Sequence, residues 1–570
     1  MAVTGGTVDM KTAVGFPFPQ GCTVEGQTAN FSVAVPEGQT CELIIYKKGA
    51  RTSAFSQKMP YSDVAGNLHF LSVVLEQPED YEYCYKIGGK IVPDPYGKAF
   101  SGREHWSVSK GKEKRKLRTR IVTDTFDWEK SQFPHLNKED VIAYSLHVRG
   151  FTKHSSSGVA HKGTFDGVTE KLPYLQKLGI NQIHLMPVYE FDENQRHVNY
   201  WGYGKAYFFA PKASYAAGDP VNEMKSLVRQ MHLAGIEVIL EMPFTEGTTF
   251  SLILDCLRYW VMQYHVDGFI VNPYICNPDE LAKDPVLAKS KILKKEDGFQ
   301  NVMRRFLKGD EGMIWDVICQ LKNQDTQLYN YIASHNGFTL CDVVSYDGKH
   351  NEANGENNLD GPDYNYSWNC GAEGATRRKA VLELRKKQMR NAFFLLLMAQ
   401  GTPCLLAGDE FANSQKGNNN VYCQDNETAW LNWKQLEKEK ELFDYVRNLI
   451  ALRKRLPILH SEKPLLGRDE MSCGVPDVSY HGESAWQIPQ NVASRQLGVY
   501  YHGEGESEGD CFIAYNMHWT EHKFALPALS KGKRWYRVFS TEEELKEEML
   551  VENQKETVVN ERTIIMFLGR

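Results

Sequence analysis

Several features that define other classes of protein are absent from this sequence of 570 residues. It has no excess of positive charge, since 66 Lys and Arg residues stand against 72 Asp and Glu residues and give a net charge of −6. That balance argues against nucleic acid as a partner. Long hydrophobic runs are also missing: the longest, at 392–399, is far shorter than the roughly 18 residues that cross a membrane. We therefore expect no membrane partner.

Paired cysteines are missing as well. The 12 cysteines occur singly, without a C-x-x-C pair or a zinc-like Cys/His spacing. In a chain of this length we interpret them as buried, reduced thiols, which are typical of the cytosol. The start of the chain has neither a basic segment nor an apolar core, so it does not resemble a signal peptide. These absences together predict a cytoplasmic protein.

Changes of pattern along the chain predict three domains and an α/β fold class. Residues 10–110 contain short apolar runs between turn residues, which predicts an N-terminal β-sandwich. Residues 111–140 begin with a basic run that we interpret as a solvated linker. From 141 to 455, strand and helix patterns alternate, which predicts a parallel sheet in a (β/α)8 TIM barrel. Residues 456–570 return to short strands and predict a C-terminal β-sandwich.

Five motifs carry a resemblance to a known family. They are YSLHVRGFT at 144–152, MPV at 186–188, NYWGY at 199–203, HNEANGENN at 350–358 and AGDEF at 407–411. In this order they resemble the isoamylase and glycogen-debranching group of glycoside hydrolase family 13, the α-amylase superfamily. The N-terminal domain, with DPYGKA at 94–99, resembles carbohydrate-binding module family 48. The resemblance covers nearly the whole chain.

The resemblance implies hydrolysis of α-1,6 branch linkages in glycogen-like or starch-like glucans, with retention of anomeric configuration. This chemistry needs two carboxyl groups roughly 5–5.5 Å apart, one as nucleophile and one as acid and then base. In the family a third carboxylate holds the sugar hydroxyls. All three project from the C-terminal ends of the barrel strands.

At those positions this sequence departs from the family. The fourth strand, where the family has Gly-Phe-Arg-Phe-Asp with Asp as nucleophile, reads Gly-Phe-Ile-Val-Asn and ends at Asn272. An amide is a poor nucleophile, and Ile270 replaces the Arg that would hold a carboxylate ionised. Asn336 replaces the third carboxylate. In the shortened segment 291–297, alignment places Lys295 at the general-acid position, where an ammonium has the wrong charge beside an oxocarbenium-like transition state.

Three explanations of these departures stay open. Two Asp-to-Asn changes alone would fit a variant made to trap substrate, but Ile270 and Glu246, which replaces a sugar-binding His, go beyond that. A rebuilt active site would use nearby carboxylates, namely Glu241, Glu246, Glu296 and Asp297. The third explanation is a pseudoenzyme that keeps the barrel and has lost hydrolysis. We favour the pseudoenzyme because the losses fall within one site.

Binding of an α-glucan can survive the loss of hydrolysis. Tyr200, Trp201, Tyr203 and Trp368 resemble the aromatic residues of the family's glucan groove, and His335 resembles a group that bonds sugar hydroxyls. The alternative is that these rings only pack the loops of the barrel.

The expected partners are therefore an α-glucan and an active debranching enzyme subunit. Two alternatives remain: a working α-glucan hydrolase with displaced carboxylates, and a structural partner that binds no sugar. No motif indicates a nucleotide or redox cofactor. Some family members bind calcium through an Asn in the third-strand motif, but Thr245 occupies that place, so we expect no metal and no cofactor.

Overall fold

The N-terminal part of the computed structural model is a sandwich of two antiparallel sheets. The structure describes residues 10–107, 116–470, 472–503, 509–543 and 547–570. The strands of the sandwich are β1 (Thr12–Ala13), β2 (Gly21–Glu25), β3 (Thr28–Ala34), β4 (Cys41–Lys47), β5 (Phe55–Lys58), β6 (Leu68–Val74), β7 (Tyr81–Ile87), β8 (Lys90–Val92), β9 (Phe100–Ser101) and β10 (Arg118–Arg120). One sheet has the order β1-β6-β3-β2 and the other β5-β4-β7-β10-β9, with β8 beside β7.

The linker that the sequence predicts at 111–140 begins later in the structure. Residues 111–115 lie outside the described residues, but β10 pairs with β7 and β9 in the second sheet. The guanidinium of Arg118 donates a hydrogen bond to the Ala50 carbonyl at 2.6 Å and lies 3.6 Å from the centre of the Tyr46 ring. This basic residue therefore packs on the sheet instead of remaining solvated.

The central part alternates strands with helices. Its strands are β11 (Ala143–Leu146), β12 (Gln182–Leu185), β13 (Tyr189–Phe191), β14 (Ala206–Pro211), β15 (Glu237–Met242), β16 (Gly268–Val271), β17 (Lys291–Leu293) and β18 (Cys404–Leu406). Its helices are α1 (Val148–Thr152), α2 (Phe165–Thr169), α3 (Leu172–Leu178), α4 (Pro220–Leu233), α5 (Phe250–Tyr264), α6 (Pro278–Leu281), α7 (Gly298–Lys308), α8 (Ile314–Leu321), α9 (Leu340–Val343), α10 (Lys379–Leu397), α11 (Lys434–Lys438) and α12 (Lys440–Arg455). Six strands form one parallel sheet in the order β17-β16-β15-β12-β11-β18, and β13 and β14 form a separate antiparallel pair.

The eight parallel barrel strands that the sequence predicts are not all present in the described part of the chain. The two edge strands are instead connected through residues 328–330 by two isolated parallel bridges, Lys294 with Leu328 and Asn330 with Pro403. Between β16 and β17 the chain forms only the short helix α6.

Alternation along the strands determines which side chains face the inside of this sheet. Ile239, Ile270, Leu293 and Tyr331 belong to one buried cluster, separate from the larger core that includes the helices. Since side chains two residues apart point to the same face, Glu241 follows Ile239 on the inner face. By the same rule Lys295 follows Leu293.

The C-terminal part is again a β-structure. Its strands are β19 (Val478–His481), β20 (Gln496–Tyr501), β21 (Asp510–Asn516), β22 (His522–Ala525), β23 (Trp535–Ser540), β24 (Met549–Leu550), β25 (Glu556–Val559) and β26 (Thr563–Gly569). Six strands form a sheet in the order β19-β20-β21-β26-β23-β24, and β22 pairs with β25. One face of the large sheet covers this pair, and the other joins the core of the central part through Tyr515 and Met566.

The cysteines differ from the prediction in their burial. All twelve are free thiols, but Cys319 and Cys473 are exposed, and Cys341 and Cys423 are half-buried. The prediction that all are buried is therefore wrong for these four. In the described residues, no helix is both long enough and apolar enough to cross a membrane.

Candidate functional site

Polar side chains at the carboxyl ends of the parallel strands meet around Tyr203. The Tyr203 hydroxyl donates a hydrogen bond to Glu241 Oε1 at 2.6 Å and lies 2.6 Å from His335 Nε2. Because a hydroxyl has only one proton, His335 donates from Nε2 whenever Tyr203 donates to Glu241. The three side chains thus form one continuous hydrogen-bonded chain.

Electrostatics at this site couple Glu241 to Lys295. Burial raises the pKa of Glu241, and the Lys295 charge and the Tyr203 hydrogen bond act against that rise. Burial lowers the pKa of Lys295, and the charges of Glu241 and Asp297 act against that fall. Burial, reinforced by Lys295, lowers the pKa of His335 well below its ordinary value, so His335 is neutral at pH 7.

None of the three family positions supplies a carboxylate. Asn272 is exposed at the end of β16, and its side-chain oxygen accepts a hydrogen bond from the Tyr274 backbone N–H at 3.0 Å. Asn336 is also exposed. The Lys295 ammonium lies 5.5 Å from the centre of the Tyr331 ring. The amide of Asn272 therefore stabilises its own turn, and the inner face carries an amine.

The four alternative carboxylates divide into two groups. Glu241 and Asp297 both act electrostatically on Lys295, and Asp297 accepts a hydrogen bond from the Tyr331 hydroxyl at 2.5 Å. Glu246 is exposed in a groove that also includes Arg103 and Lys205. Glu296 is exposed and forms an ion pair with Lys294 at 3.0 Å. The structure thus brings only two of the four to Lys295.

The NYWGY rings are largely inaccessible. Tyr200 is 2% exposed and packs 4.1 Å from the centre of the His147 ring. Trp201 is 6% exposed and packs edge-on against His335 at 5.0 Å. Tyr203 is half-buried. Burial of this extent supports the alternative that Tyr200 and Trp201 pack the loops, since a sugar needs an open ring face.

Trp368 does not join the other aromatic residues. The guanidinium of Arg562, from the C-terminal domain, lies 4.9 Å from the centre of its ring. Arg562 also donates hydrogen bonds to the backbone carbonyls of Leu307 and Lys308. Trp368 therefore packs between domains through a cation–π contact, and its predicted place in a glucan groove is not supported by these contacts.

Arg304 is a residue of the site that sequence reasoning missed. Its buried guanidinium donates hydrogen bonds to the carbonyls of Ile332 and Phe338, which stand on either side of His335 in the sequence, and to the carbonyl of Asn365. Burial lowers its pKa to about 10. The sequence offered one indication of its importance, because Arg304 stands where the sequence resembles the family again after the segment 291–297.

Metal ligands are not grouped at the site. Among the side chains that the structure describes, no cluster of three or more His, Cys, Asp or Glu residues could hold a metal ion. The site as a whole therefore presents a half-buried acid, a half-buried amine, a neutral imidazole and phenol hydroxyls.

Comparison with known proteins identifies the family. The domain "Alpha amylase, catalytic domain" matches residues 135–246. Isoamylase 3, chloroplastic, of Oryza sativa subsp. japonica is 32% identical over 80% of this chain and 73% of its own. Isoamylase 1, chloroplastic, of Arabidopsis thaliana is 31% identical over 91% of this chain and 84% of its own. The chain therefore belongs to the α-amylase family, glycoside hydrolase family 13, and within it to the isoamylase and glycogen-debranching group.

Solved structures agree in fold. Pullulanase type I from Bacillus subtilis str. 168, solved in complex with maltose, has a TM-score of 0.74 at 19% identity, over 97% of this chain and 86% of the pullulanase chain. A bacterial relative, the glycogen operon protein GlgX homolog of Haemophilus influenzae, is 32% identical over 67% of this chain and 76% of its own. The fold and the group assignment are thus mutually consistent.

Proposed function

We propose that this chain is a non-hydrolytic member of the debranching group, which binds α-glucan without cleaving it. The observation that carries the proposal is the chemistry at the three family positions, where Asn272 and Asn336 are amides and Lys295 is an amine. Support for glucan as the ligand comes from the family and from the pullulanase that was solved with maltose.

Retaining hydrolysis requires a carboxylate that attacks the anomeric carbon and an acid that protonates the leaving oxygen. The Asn272 amide is neutral, so it does not form the glycosyl ester readily. Ile270 is buried in the inner cluster and provides no guanidinium beside it. An ammonium at Lys295 repels the positive charge that develops on the sugar ring. Each departure alone slows the reaction, and together they remove both halves of the mechanism.

The polar groups that remain suit binding. We place the glucan contacts at Tyr203 and His335, whose hydroxyl and ring nitrogen are joined at 2.6 Å. Phenol and imidazole groups donate and accept hydrogen bonds with sugar hydroxyls. Tyr200 and Trp201 support them from behind, since both are buried.

Two assays test this proposal. We expect no release of reducing ends from glycogen or pullulan, with the rice isoamylase 3 as the active control. In a native gel that contains glycogen we expect retardation, and we expect His335→Ala to reduce it. His161→Ala is the matched control, because His161 is an exposed histidine paired with Glu170. Release of reducing ends would contradict loss of hydrolysis, and unretarded migration would favour a structural partner that binds no sugar.

A working hydrolase with displaced carboxylates is the second candidate, and one observation favours it. Glu241 and Asp297 both act on Lys295, and burial raises the pKa of Glu241 as a general acid requires. If reducing ends are released, Glu241→Gln should abolish the release. Retention of activity in that variant would exclude Glu241 as the acid.

We also propose an active debranching enzyme subunit as protein partner and the cytoplasm as location. A non-hydrolytic chain that binds glucan contributes to glucan processing most directly when a relative with its catalytic carboxylates cleaves the glycosidic bond. Co-purification of the full chain with an active debranching enzyme from its own cells tests the pairing. A chain recovered alone, in a fraction without debranching activity, would argue against it.

A further inference from the structure

A thiol, an imidazole and a carboxylate lie in line on the C-terminal domain, outside the site described above. Cys473 Sγ is 3.4 Å from His502 Nε2, and His502 Nδ1 is 2.7 Å from Asp510 Oδ1. Cys473 is exposed, whereas Asp510 is only 1% exposed. The order of groups is that of a nucleophile, a base and a residue that orients the base.

The fold keeps Asp510 ionised and fixes the orientation of His502. Burial alone would raise the pKa of Asp510, but hydrogen bonds from Tyr500, His502 and Lys533 outweigh burial and lower it. The Tyr500 hydroxyl donates at 2.9 Å and Lys533 Nζ at 3.2 Å. An ionised carboxylate accepts the Nδ1–H of the imidazole, which leaves Nε2 free to accept a proton.

A second carboxylate acts on the same thiol in the opposite direction. Asp469 accepts hydrogen bonds from the backbone N–H groups of Cys473 and Gly474, at 3.0 and 2.7 Å, and so shapes the turn. Its Oδ1 lies 3.5 Å from Cys473 Sγ, and the Val475 carbonyl lies at the same distance. The negative charge of Asp469 favours the protonated thiol, so it competes with His502.

No other cysteine combines these features. Cys404 lies 3.6 Å from His184 Nδ1, but Cys404 is buried inside the parallel sheet. Cys319 is exposed, and within the described residues it has no histidine in hydrogen-bond contact. Cys319 therefore serves as an internal control for exposure without a base.

We propose that Cys473 is a reactive thiol and a modification site, which forms mixed disulfides with low-molecular-weight disulfides. His502 Nε2 takes the thiol proton, and the thiolate attacks one sulfur of the incoming disulfide. The new bond joins Cys473 Sγ to that sulfur, the original S–S bond breaks, and the second half leaves as a thiolate. The leaving thiolate takes the proton from His502. One disulfide is consumed and one is formed, so no further oxidant is needed.

The rate of modification by oxidised glutathione tests the proposal in the full chain, without glucan. We expect peptide mass spectrometry at pH 7 to show Cys473 modified about tenfold faster than Cys319, because only Cys473 has a base that supplies thiolate. His502→Asn should reduce the Cys473 rate about tenfold and leave the Cys319 rate unchanged.

A second variant separates the role of the base from damage to the loop. Asp469→Asn keeps an oxygen acceptor for the turn and removes the competing charge, so we expect the Cys473 rate to rise. The thermal unfolding temperature of each variant checks that the domain is intact. Equal rates at Cys473 and Cys319, or an unchanged Cys473 rate in a folded His502→Asn variant, would overturn the proposal.

Discussion

At the scale of single residues, Lys295, which the sequence predicts at the general-acid position, is electrostatically coupled to Glu241. Lys295 and Glu241 share the inner face of the parallel sheet, and burial shifts the pKa of each toward its neutral form. The charge of each side chain offsets part of the other's desolvation. Removing either charge alone therefore leaves its half-buried partner with less compensation.

We therefore expect Lys295→Met and Glu241→Gln to lower the free energy of unfolding by about 2–4 kcal/mol each, and the double variant to lose less than the two losses combined. The double variant loses less because it removes both charges at once. Urea unfolding of the native chain and the three variants at pH 7 forms a double-mutant cycle that measures the coupling.

The neighbouring pair Lys294 and Glu296 is the matched control. These two residues stand on either side of Lys295 in the sequence. They form an ion pair at 3.0 Å, and the Glu296 side chain is 52% exposed. Solvent screens such a pair, so Lys294→Met and Glu296→Gln should each change stability by less than about 1 kcal/mol. Additive losses at Lys295 and Glu241 would show that the two charges are independent.

At the scale of elements, the start of α4 joins the central part to the N-terminal sandwich. Asp219 Oδ1 accepts hydrogen bonds from the backbone N–H groups of Val221 and Asn222, both at 3.1 Å. Its Oδ2 pairs with Arg120 of β10 at 2.8 Å. The Asp219 carboxylate thus caps α4 and also binds β10, a strand that lies within the predicted linker 111–140.

Two substitutions at Asp219 separate these roles. We expect Asp219→Ala to lower the free energy of unfolding by about 1–2 kcal/mol, because it removes the cap. Asp219→Asn keeps an oxygen for the cap and removes only the ion pair, so we expect less than about 1 kcal/mol. Urea unfolding at pH 7 compares them, with Arg120→Gln as the control for the ion pair. Equal losses in the Ala and Asn variants would mean that the cap contributes nothing.

Most elements follow from local pattern, and the exceptions depend on distant contacts. The strand Glu237–Met242 and the helix Lys379–Leu397 lie within the region 141–455 that the sequence predicts to alternate, because apolar spacing reports the period of each element. The strand at Arg118–Arg120 was missed because its basic side chains look solvated until Tyr46 lies beneath one of them. The eight-stranded barrel stays a prediction, since the described residues show six parallel strands and two isolated parallel bridges between the edge strands.

The candidate site was predictable where it depends on alternation along a strand. Lys295 lies on the inner face as the alignment places it, and the exposed Asn272 follows its strand. The contact of Trp368 with Arg562 was not predictable from the local motif, because Arg562 is nearly 200 residues further along the chain. The burial of Tyr200 and Trp201 likewise depends on how the loops pack, which no single motif reveals.

At the scale of the whole molecule, histidines with lowered pKa values make the stability of the folded state depend on pH. Burial lowers the pKa of His147 to about 4, of His184 to about 3 and of His481 to about 4. Each folded-state pKa lies below the unfolded value, so the stability from these groups is present above about pH 6.5 and is lost as the pH falls. Carboxylates act in the opposite direction: burial raises the pKa of Asp94 and of Asp342 to about 6, and it also raises the pKa of Glu241.

The three histidines and the carboxylates Asp94 and Asp342 change stability in opposite directions between pH 6.5 and 5. Each buried neutral histidine should lose about 2 kcal/mol of stability over this range, and each carboxylate should recover about 1 kcal/mol. For these five groups together we therefore expect the free energy of unfolding, measured with urea, to fall by about 4 kcal/mol from pH 6.5 to pH 5. His481→Gln, on β19, should remove about 2 kcal/mol of that fall, because glutamine does not gain a proton on unfolding. A stability that is constant or rises toward pH 5 would mean that the carboxylates, not the histidines, control the acid response.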